Sequence, residues 1–66
     1  MKNNLKVLRA EHGYTQAAVA KKAGINRTSY IMIENDKSVP DGNTIAALVR
    51  VFGVPANKIF FDLDVV

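Results

Sequence analysis

Few side chains in this sequence have the chemistry of a catalytic or metal-binding group. The single histidine, His12, has no second His, no Cys and no paired carboxylate near it, so we expect a surface or helix-dipole role for it. Asp62 and Asp64 form a closely spaced acidic pair, but alternating acids on a strand more often keep one face in water than bind a cation. We therefore predict no enzyme, no metal, no cofactor and no small-molecule substrate.

The chemistry that the sequence does supply is positive charge. Nine Lys and Arg against six Asp and Glu give a net charge of +3 and a pI near 9.5. Two of the six acids are Asp62 and Asp64, so residues 1–61 carry nine bases against four acids, a net charge of +5. This excess favours a polyanionic partner, although the same charge also serves solubility.

Length and composition limit the fold to one small domain. The chain has 66 residues, of which 48% are hydrophobic, and it has no cysteine, so packing alone must stabilise it. No stretch approaches the length of a membrane span, and no apolar leader opens the sequence. We expect a single cytoplasmic domain over residues 1–66, with no membrane partner.

Glycines, prolines and capping residues divide the sequence into five short helices. Each is predicted from an N-capping side chain, an apolar face at helical spacing and a stop residue. The expected caps are Asn3 or Asn4, Thr15, Asn26 and Asp41, and Pro55 suits the first turn of the last helix. The predicted ranges are about 4–12, 16–23, 27–34, 42–52 and a fifth helix that contains Ile59 and Phe60. The tail, residues 61–66, has the alternating pattern of a short C-terminal β-strand.

The second and third predicted helices have the spacing of a helix-turn-helix over roughly Gln16 to Asn35. Three residues join two short helices, Ala20 is small where the helices would cross, and Gly24 gives the turn its backbone freedom. In this motif the second helix enters the major groove of DNA and the first crosses the phosphates.

The sequence resembles the lambda-repressor and Cro-like (XRE-type) helix-turn-helix family. The resemblance covers roughly residues 4–60 and is carried by Leu8-Arg9, Tyr14-Thr15-Gln16, Ala20, Gly24, Glu34-Asn35 and Phe52-Gly53-Val54. It implies an all-α, five-helix lambda-repressor-like domain that binds operator DNA as a symmetric dimer, usually as a transcriptional repressor. It also implies a structural ion pair between Arg9 and Glu34.

The resemblance also implies which side chains contact DNA. Base contacts are expected from Arg27, Thr28, Ser29 and Met32. Phosphate contacts are expected from Gln16, Asn35 and Lys37. The chemistry of Arg27 agrees, because a guanidinium can donate two hydrogen bonds to one guanine. Three further helix lysines are interpreted as solvated charge and are not counted among the contacts: Lys6, Lys21 and Lys22.

The predicted reading helix and the residues just after it depart from the family pattern at two places. Ile31 and Met32 put an apolar turn on the predicted reading helix, where polar residues are usual. Apolar side chains can contact thymine methyl groups, which favours A·T-rich sites, but they also suit a protein partner. Asp36 replaces the glycine that commonly follows Glu-Asn, and its negative charge lies beside the expected phosphate contacts.

Three functions therefore stay open. We favour sequence-specific binding of double-stranded DNA by a homodimeric regulator, expected to be a repressor on an inverted repeat. The alternative of the same class is an antitoxin or restriction-control regulator. The alternative of another class is a protein-interaction module that uses Ile31 and Met32. Binding to phosphates weakens steeply with salt, whereas an apolar protein contact changes little, so salt dependence separates the last alternative from the others.

The C-terminal tail is expected to form the dimer interface. Six apolar residues fall within positions 59–66, and one small bundle can hardly bury them all. Phe61, Leu63 and Val65 would share one side of a strand whose open edge invites pairing. We expect antiparallel pairing with the same tail of a second copy, a two-fold contact that sets two third helices about 34 Å apart. The alternative is a tail that folds back over its own bundle.

Overall fold

Four α-helices and one 3₁₀ turn make up the secondary structure of residues 1–61, the part of the chain that this computed structural model describes. The elements are α1 (Leu5–His12), α2 (Gln16–Ala23), α3 (Arg27–Glu34), α4 (Gly42–Phe52) and the 3₁₀ turn Ala56–Lys58. The predicted all-α class and the first four predicted helices are confirmed.

Side-chain caps determine where α2, α3 and α4 begin. The backbone N–H of the third residue in each helix donates to the preceding Thr15, Asn26 or Asp41 side chain, at 3.0, 2.8 and 2.8 Å. These N–H groups have no partner within the helix, so each cap removes an unsatisfied donor. Gly24 ends α2 in the left-handed conformation, with φ +74°, which few side-chain-bearing residues adopt readily. Only three residues therefore separate α2 from α3.

The hydrophobic core lies around α2, which packs against both α3 and α4. Its largest fully buried side chains are Tyr30, Phe60, Leu5, Leu48, Ile59 and Val19. Burial of side chains of this size contributes roughly 1.5 to 3 kcal/mol each, and in this chain they come from every helix and from the segment after α4. The side chains of Tyr30, Ile33, Ile59 and Phe60 all belong to this core.

The predicted fifth α-helix is wrong. After Pro55 the chain makes a single 3₁₀ turn and then pairs with the segment that precedes α1. The N–H of Asn4 donates to the carbonyl of Ile59 at 2.8 Å, and the N–H of Phe61 donates to the carbonyl of Lys2 at 3.0 Å. Because backbone groups paired with residues 2–4 are not available to a helix ladder, this pairing replaces the expected helix.

Residues 59–61 pair with residues 2–4 of the same chain, with an isolated antiparallel bridge between Asn3 and Phe60. The predicted strand at 61–66 falls almost wholly on residues 62–66, so its Leu63 and Val65 lie outside the described residues. Within residues 1–61 no helix is long and apolar enough to cross a membrane. Over the same range, no group of three His, Cys, Asp or Glu side chains could hold a metal ion.

Candidate nucleic-acid interface

Helix α3 has one buried side and one exposed side. Tyr30, Ile33 and Glu34 are buried. The four predicted base contacts are all exposed: Arg27, Thr28, Ser29 and Met32. Ile31 is half-buried, whereas Met32 is 41% exposed. The apolar turn that we expected at both residues therefore reaches the surface mainly through Met32.

Two surface depressions flank α3. The first, which we call the α1–α3 cleft, has a volume of about 650 Å³ and is lined in part by Lys6, Gln16, Arg27 and Asn35. The second, the α3–α4 groove, has a volume of about 490 Å³ and is lined in part by Thr28, Ser29, Met32 and Val39. The cleft thus brings two predicted phosphate contacts beside Arg27, and the groove gathers the other three predicted base contacts.

Lys37 lines neither depression. It follows the C-terminal end of α3, its side chain is exposed, and its N–H donates to the carbonyl of Met32 at 2.8 Å. The preceding residue, Asp36, has φ +63°, a conformation in which the family's usual glycine is free of strain. The carboxylate of Asp36 accepts a hydrogen bond from the N-terminal amine of Met1, which offsets part of the negative charge next to Lys37.

A two-pronged ion pair fixes the C-terminal end of α3 to α1. Nε of Arg9 donates to Oε2 of Glu34 at 2.7 Å, and Nη2 donates to Oε1 at 2.8 Å. The side chain of Glu34 is fully buried, and that of Arg9 is 21% exposed. Two parallel hydrogen bonds between charged groups are stronger than one, and they fix the relative orientation of the two side chains. The ion pair that the resemblance implied is therefore confirmed.

The environment of the pair keeps both groups ionised. Burial alone would raise the pKa of Glu34, but hydrogen bonding, first of all from Arg9, outweighs it and holds that pKa below the usual value. The hydrogen bond with Glu34 raises the pKa of Arg9.

Burial, reinforced by the neighbouring carboxylate, raises the pKa of Tyr30 far above that of an ordinary phenol. Its hydroxyl is enclosed, with no hydrogen-bond partner among the described residues.

Gln16, the first residue of α2, belongs to the same network. Its Nε2 donates to Oε1 of Glu34 at 3.2 Å. An amide nitrogen carries two N–H groups, so one can hold Glu34 while the other faces the α1–α3 cleft. The predicted phosphate contact thus also has a structural partner, 18 residues away in sequence, that local patterns do not reveal.

Asn3 is a positioning residue that the sequence indicated only as a candidate cap. Its Nδ2 donates to the carbonyls of Ile33 at 3.0 Å and Glu34 at 3.3 Å, and its Oδ1 accepts from the N–H of Leu5 at 3.0 Å. The last carbonyls of a helix lack helical partners, so Asn3 satisfies the end of α3 and the start of α1 together. Asn4 makes no side-chain cap bond.

A helix-turn-helix family model matches residues 5–59, from the start of α1 to the residue after the 3₁₀ turn. The chain belongs to the XRE-type helix-turn-helix family. This family is non-enzymatic and binds DNA. An uncharacterized HTH-type transcriptional regulator of Methanocaldococcus jannaschii is 42% identical over 64 residues, which cover 97% of both chains. Another, of Archaeoglobus fulgidus, is 32% identical over 63 residues, covering 94% of this chain and 90% of the relative.

In an XRE-type helix-turn-helix, the helix after the turn enters the major groove and the helix before it crosses the backbone. In this chain those helices are α3 and α2. The candidate interface is therefore the exposed side of α3, together with the α1–α3 cleft where α2 begins and the α3–α4 groove on the other side.

Proposed function

We propose that this protein is a transcriptional regulator that reads double-stranded DNA with α3 in the major groove. The observation that carries the proposal is the exposed side of α3, which holds Arg27, Thr28, Ser29 and Met32 in a fold of a DNA-binding family. The net charge of +5 on residues 1–61 supports attraction to phosphates. The relatives named HTH-type transcriptional regulators support the regulatory role.

The side chains on α3 suggest the composition of the half-site. Arg27 can donate two hydrogen bonds to O6 and N7 of one guanine. Thr28 and Met32 are four residues apart, so they lie on one side of the helix and line the same groove. Both carry methyl groups that suit thymine. We therefore propose a half-site with one guanine next to A·T pairs, to which Ser29 contributes a hydroxyl.

Phosphate contacts are proposed on both ends of this unit. The second N–H of the Gln16 amide and the free backbone N–H groups at the start of α2 suit one phosphate. Asn35 and Lys37, just after α3, suit another. These contacts set the register of the protein on DNA and supply affinity without sequence information.

We further propose a homodimer that represses transcription from an inverted repeat. Phe61 is 54% exposed at the start of the tail, as a contact with a second copy requires, and Leu63 and Val65 would extend that contact. A two-fold dimer of this kind matches half-sites about 10 base pairs apart. An antitoxin or restriction-control regulator would use the same interface, and no observation favours either.

Selection of bound sequences from random duplexes, followed by salt titration of the enriched sequence, tests the proposal. It predicts an enriched inverted repeat and an affinity that falls with a slope of about −0.9 per phosphate contact in a plot of log K against log salt. The competing protein-interaction module, expected at Ile31 and Met32, would use the exposed Met32 and would extend to Val39, which lines the same groove and is 69% exposed. No enrichment, or binding that does not change with salt, would contradict the proposal and favour that module.

A further inference from the structure

Lys6 lies where two surface depressions meet. It lines the α1–α3 cleft together with Arg27 and Gln16. It also lines a groove of about 360 Å³ with Asn35 and Phe61. Its side chain is exposed. The start of α1 therefore shares a surface with both ends of the candidate DNA-binding unit, which the sequence alone did not indicate.

The structure distinguishes Lys6 from Lys22 of α2. Nζ of Lys22 lies 5.0 Å from the centroid of the Tyr14 ring, in a cation–π contact. Lys22 lines a different depression, together with Arg50 and Val51. Lys6 is thus the helix lysine beside Arg27, whereas Lys22 is held on the surface next to α4.

Among residues 1–61, the acids that line a depression with Lys6 already have other partners. The carboxylate of Glu34 accepts hydrogen bonds from Arg9 and Gln16, and that of Asp36 accepts one from the N-terminal amine. Within residues 1–61, Lys6 takes part in no ion pair. None of the acids in the described part of the chain holds this exposed ammonium, which suits an external anion.

The position of Lys6 relative to α3 is fixed by the segment before it. Asn3 is hydrogen-bonded to the last carbonyls of α3, and residues 2–4 pair with residues 59–61. Lys6 is the second residue of α1, which follows directly. The first turn of α1 is therefore held against the C-terminal end of the reading helix.

We propose that Lys6 binds a phosphate of the duplex next to the base pairs that α3 reads. It stands beside Asn35 at the end of α3, and a side chain beyond the end of a helix in the major groove meets the backbone rather than base edges. An ammonium is a point charge with three donors, which suits a phosphate without reading sequence. This inference rests on the proposed function, and it extends the interface from α2 and α3 to α1.

Salt titration of Lys6→Gln on the selected duplex and on a random duplex tests the proposal. Loss of one phosphate contact per protomer should reduce the magnitude of the salt slope by about 0.9 for each protomer bound, and it should weaken both duplexes by the same factor. Lys6→Arg should keep the wild-type slope, because it keeps the charge. Lys22→Gln is the matched control, and it should also keep the wild-type slope. Thermal unfolding of each variant verifies the fold.

Each outcome has a separate meaning. If the wild type binds no duplex, the proposed function fails. If the wild type binds with a steep salt slope and Lys6→Gln keeps that slope, the assignment of Lys6 is overturned and the proposed function stands. A loss for Lys6→Gln on the selected duplex alone would also overturn it, since a phosphate contact cannot distinguish sequences.

Discussion

Glu34 connects three helices through one carboxylate. It is the last residue of α3, and it accepts hydrogen bonds from Arg9 on α1 and from Gln16 at the start of α2. Its side chain is fully buried, so its charge depends on these partners rather than on water. The network therefore sets the orientation of the reading helix relative to both neighbouring helices.

Arg9 and Glu34 are predicted to be energetically coupled. A buried charge that loses its partner costs about 3 to 5 kcal/mol, so Arg9→Ala and Glu34→Ala should each lower the free energy of unfolding strongly, as measured by urea denaturation. The double variant should lose less than the sum of the two, because no charge is left unpaired. Glu11→Ala, at an exposed position of α1, should change little. Additive losses would show that the two side chains are not energetically coupled.

The same carboxylate predicts how stability responds to acid. The pKa of Glu34 is lowered in the folded protein, so its contribution is fully present above the unfolded value of about 4.3. That contribution is lost as the pH falls below this value towards the folded pKa. Unfolding free energies between pH 7 and pH 3 should therefore decline more steeply for the wild type than for Glu34→Gln. Parallel pH profiles would show that Glu34 titrates alike in both states.

At the scale of elements, the reading helix depends on a local cap. Asn26 Oδ1 accepts the N–H of Ser29, so we predict that Asn26→Ala lowers the free energy of unfolding by about 1 kcal/mol. Asn26→Asp should retain the cap and most of the stability, since both residues are good N-caps. Chemical denaturation of the two variants gives the comparison. Equal losses for both variants would indicate that the cap bond is not the cause.

The helices that the sequence predicted well are those with local signals. Each side-chain cap accepts from a backbone N–H only three positions later, at Thr15, Asn26 and Asp41. A short window of sequence therefore contains both the cap and the helix start that it stabilises. The fifth helix was wrong because its residues pair with the opposite end of the chain. A contact between residues 2–4 and residues 59–61 leaves no trace in local periodicity, and it outweighs the helical tendency after Pro55.

In the candidate site, too, the features with local signals were predicted and those that depend on long-range contacts were not. Charge and the helix-turn-helix spacing indicated α3 as the reading helix, and the family resemblance implied which of its residues contact DNA. The link from Gln16 to Glu34 and the bonds from Asn3 to α3 join residues 18 and 31 positions apart. Such contacts exist only once the fold has brought the elements together. The α1–α3 cleft and the position of Lys6 beside Arg27 therefore could not be predicted from the sequence.

At the scale of the whole molecule, the tail contributes both apolar residues and negative charge, and deleting it removes both at once. Removal of residues 62–66 deletes Leu63, Val65 and Val66, and it also raises the net charge from +3 to +5, because Asp62 and Asp64 are lost. We predict that the deletion makes the protein monomeric in analytical ultracentrifugation. The full-length Asp62→Asn, Asp64→Asn double variant has the same net charge, and it should remain dimeric.

The two variants also distinguish the effect of net charge on DNA binding from the effect of dimerisation. The full-length double variant should bind random duplexes more tightly at low salt than the wild type, because it gains positive charge and keeps both DNA-binding units. Only the deletion should lose the preference for two half-sites over one. A full-length protein that stays monomeric at high micromolar concentration would contradict the tail-mediated dimer.

The most direct measurement of the central claim compares Arg27→Ala with the wild type on the selected duplex and on a random duplex. If α3 reads bases, the loss on the selected duplex should be about 1 to 3 kcal/mol, with relaxed preference at one base pair and a much smaller loss on the random duplex. Lys37→Ala is the contrast, because a phosphate contact should weaken both duplexes alike. Equal losses on both duplexes for Arg27→Ala would contradict sequence reading by α3.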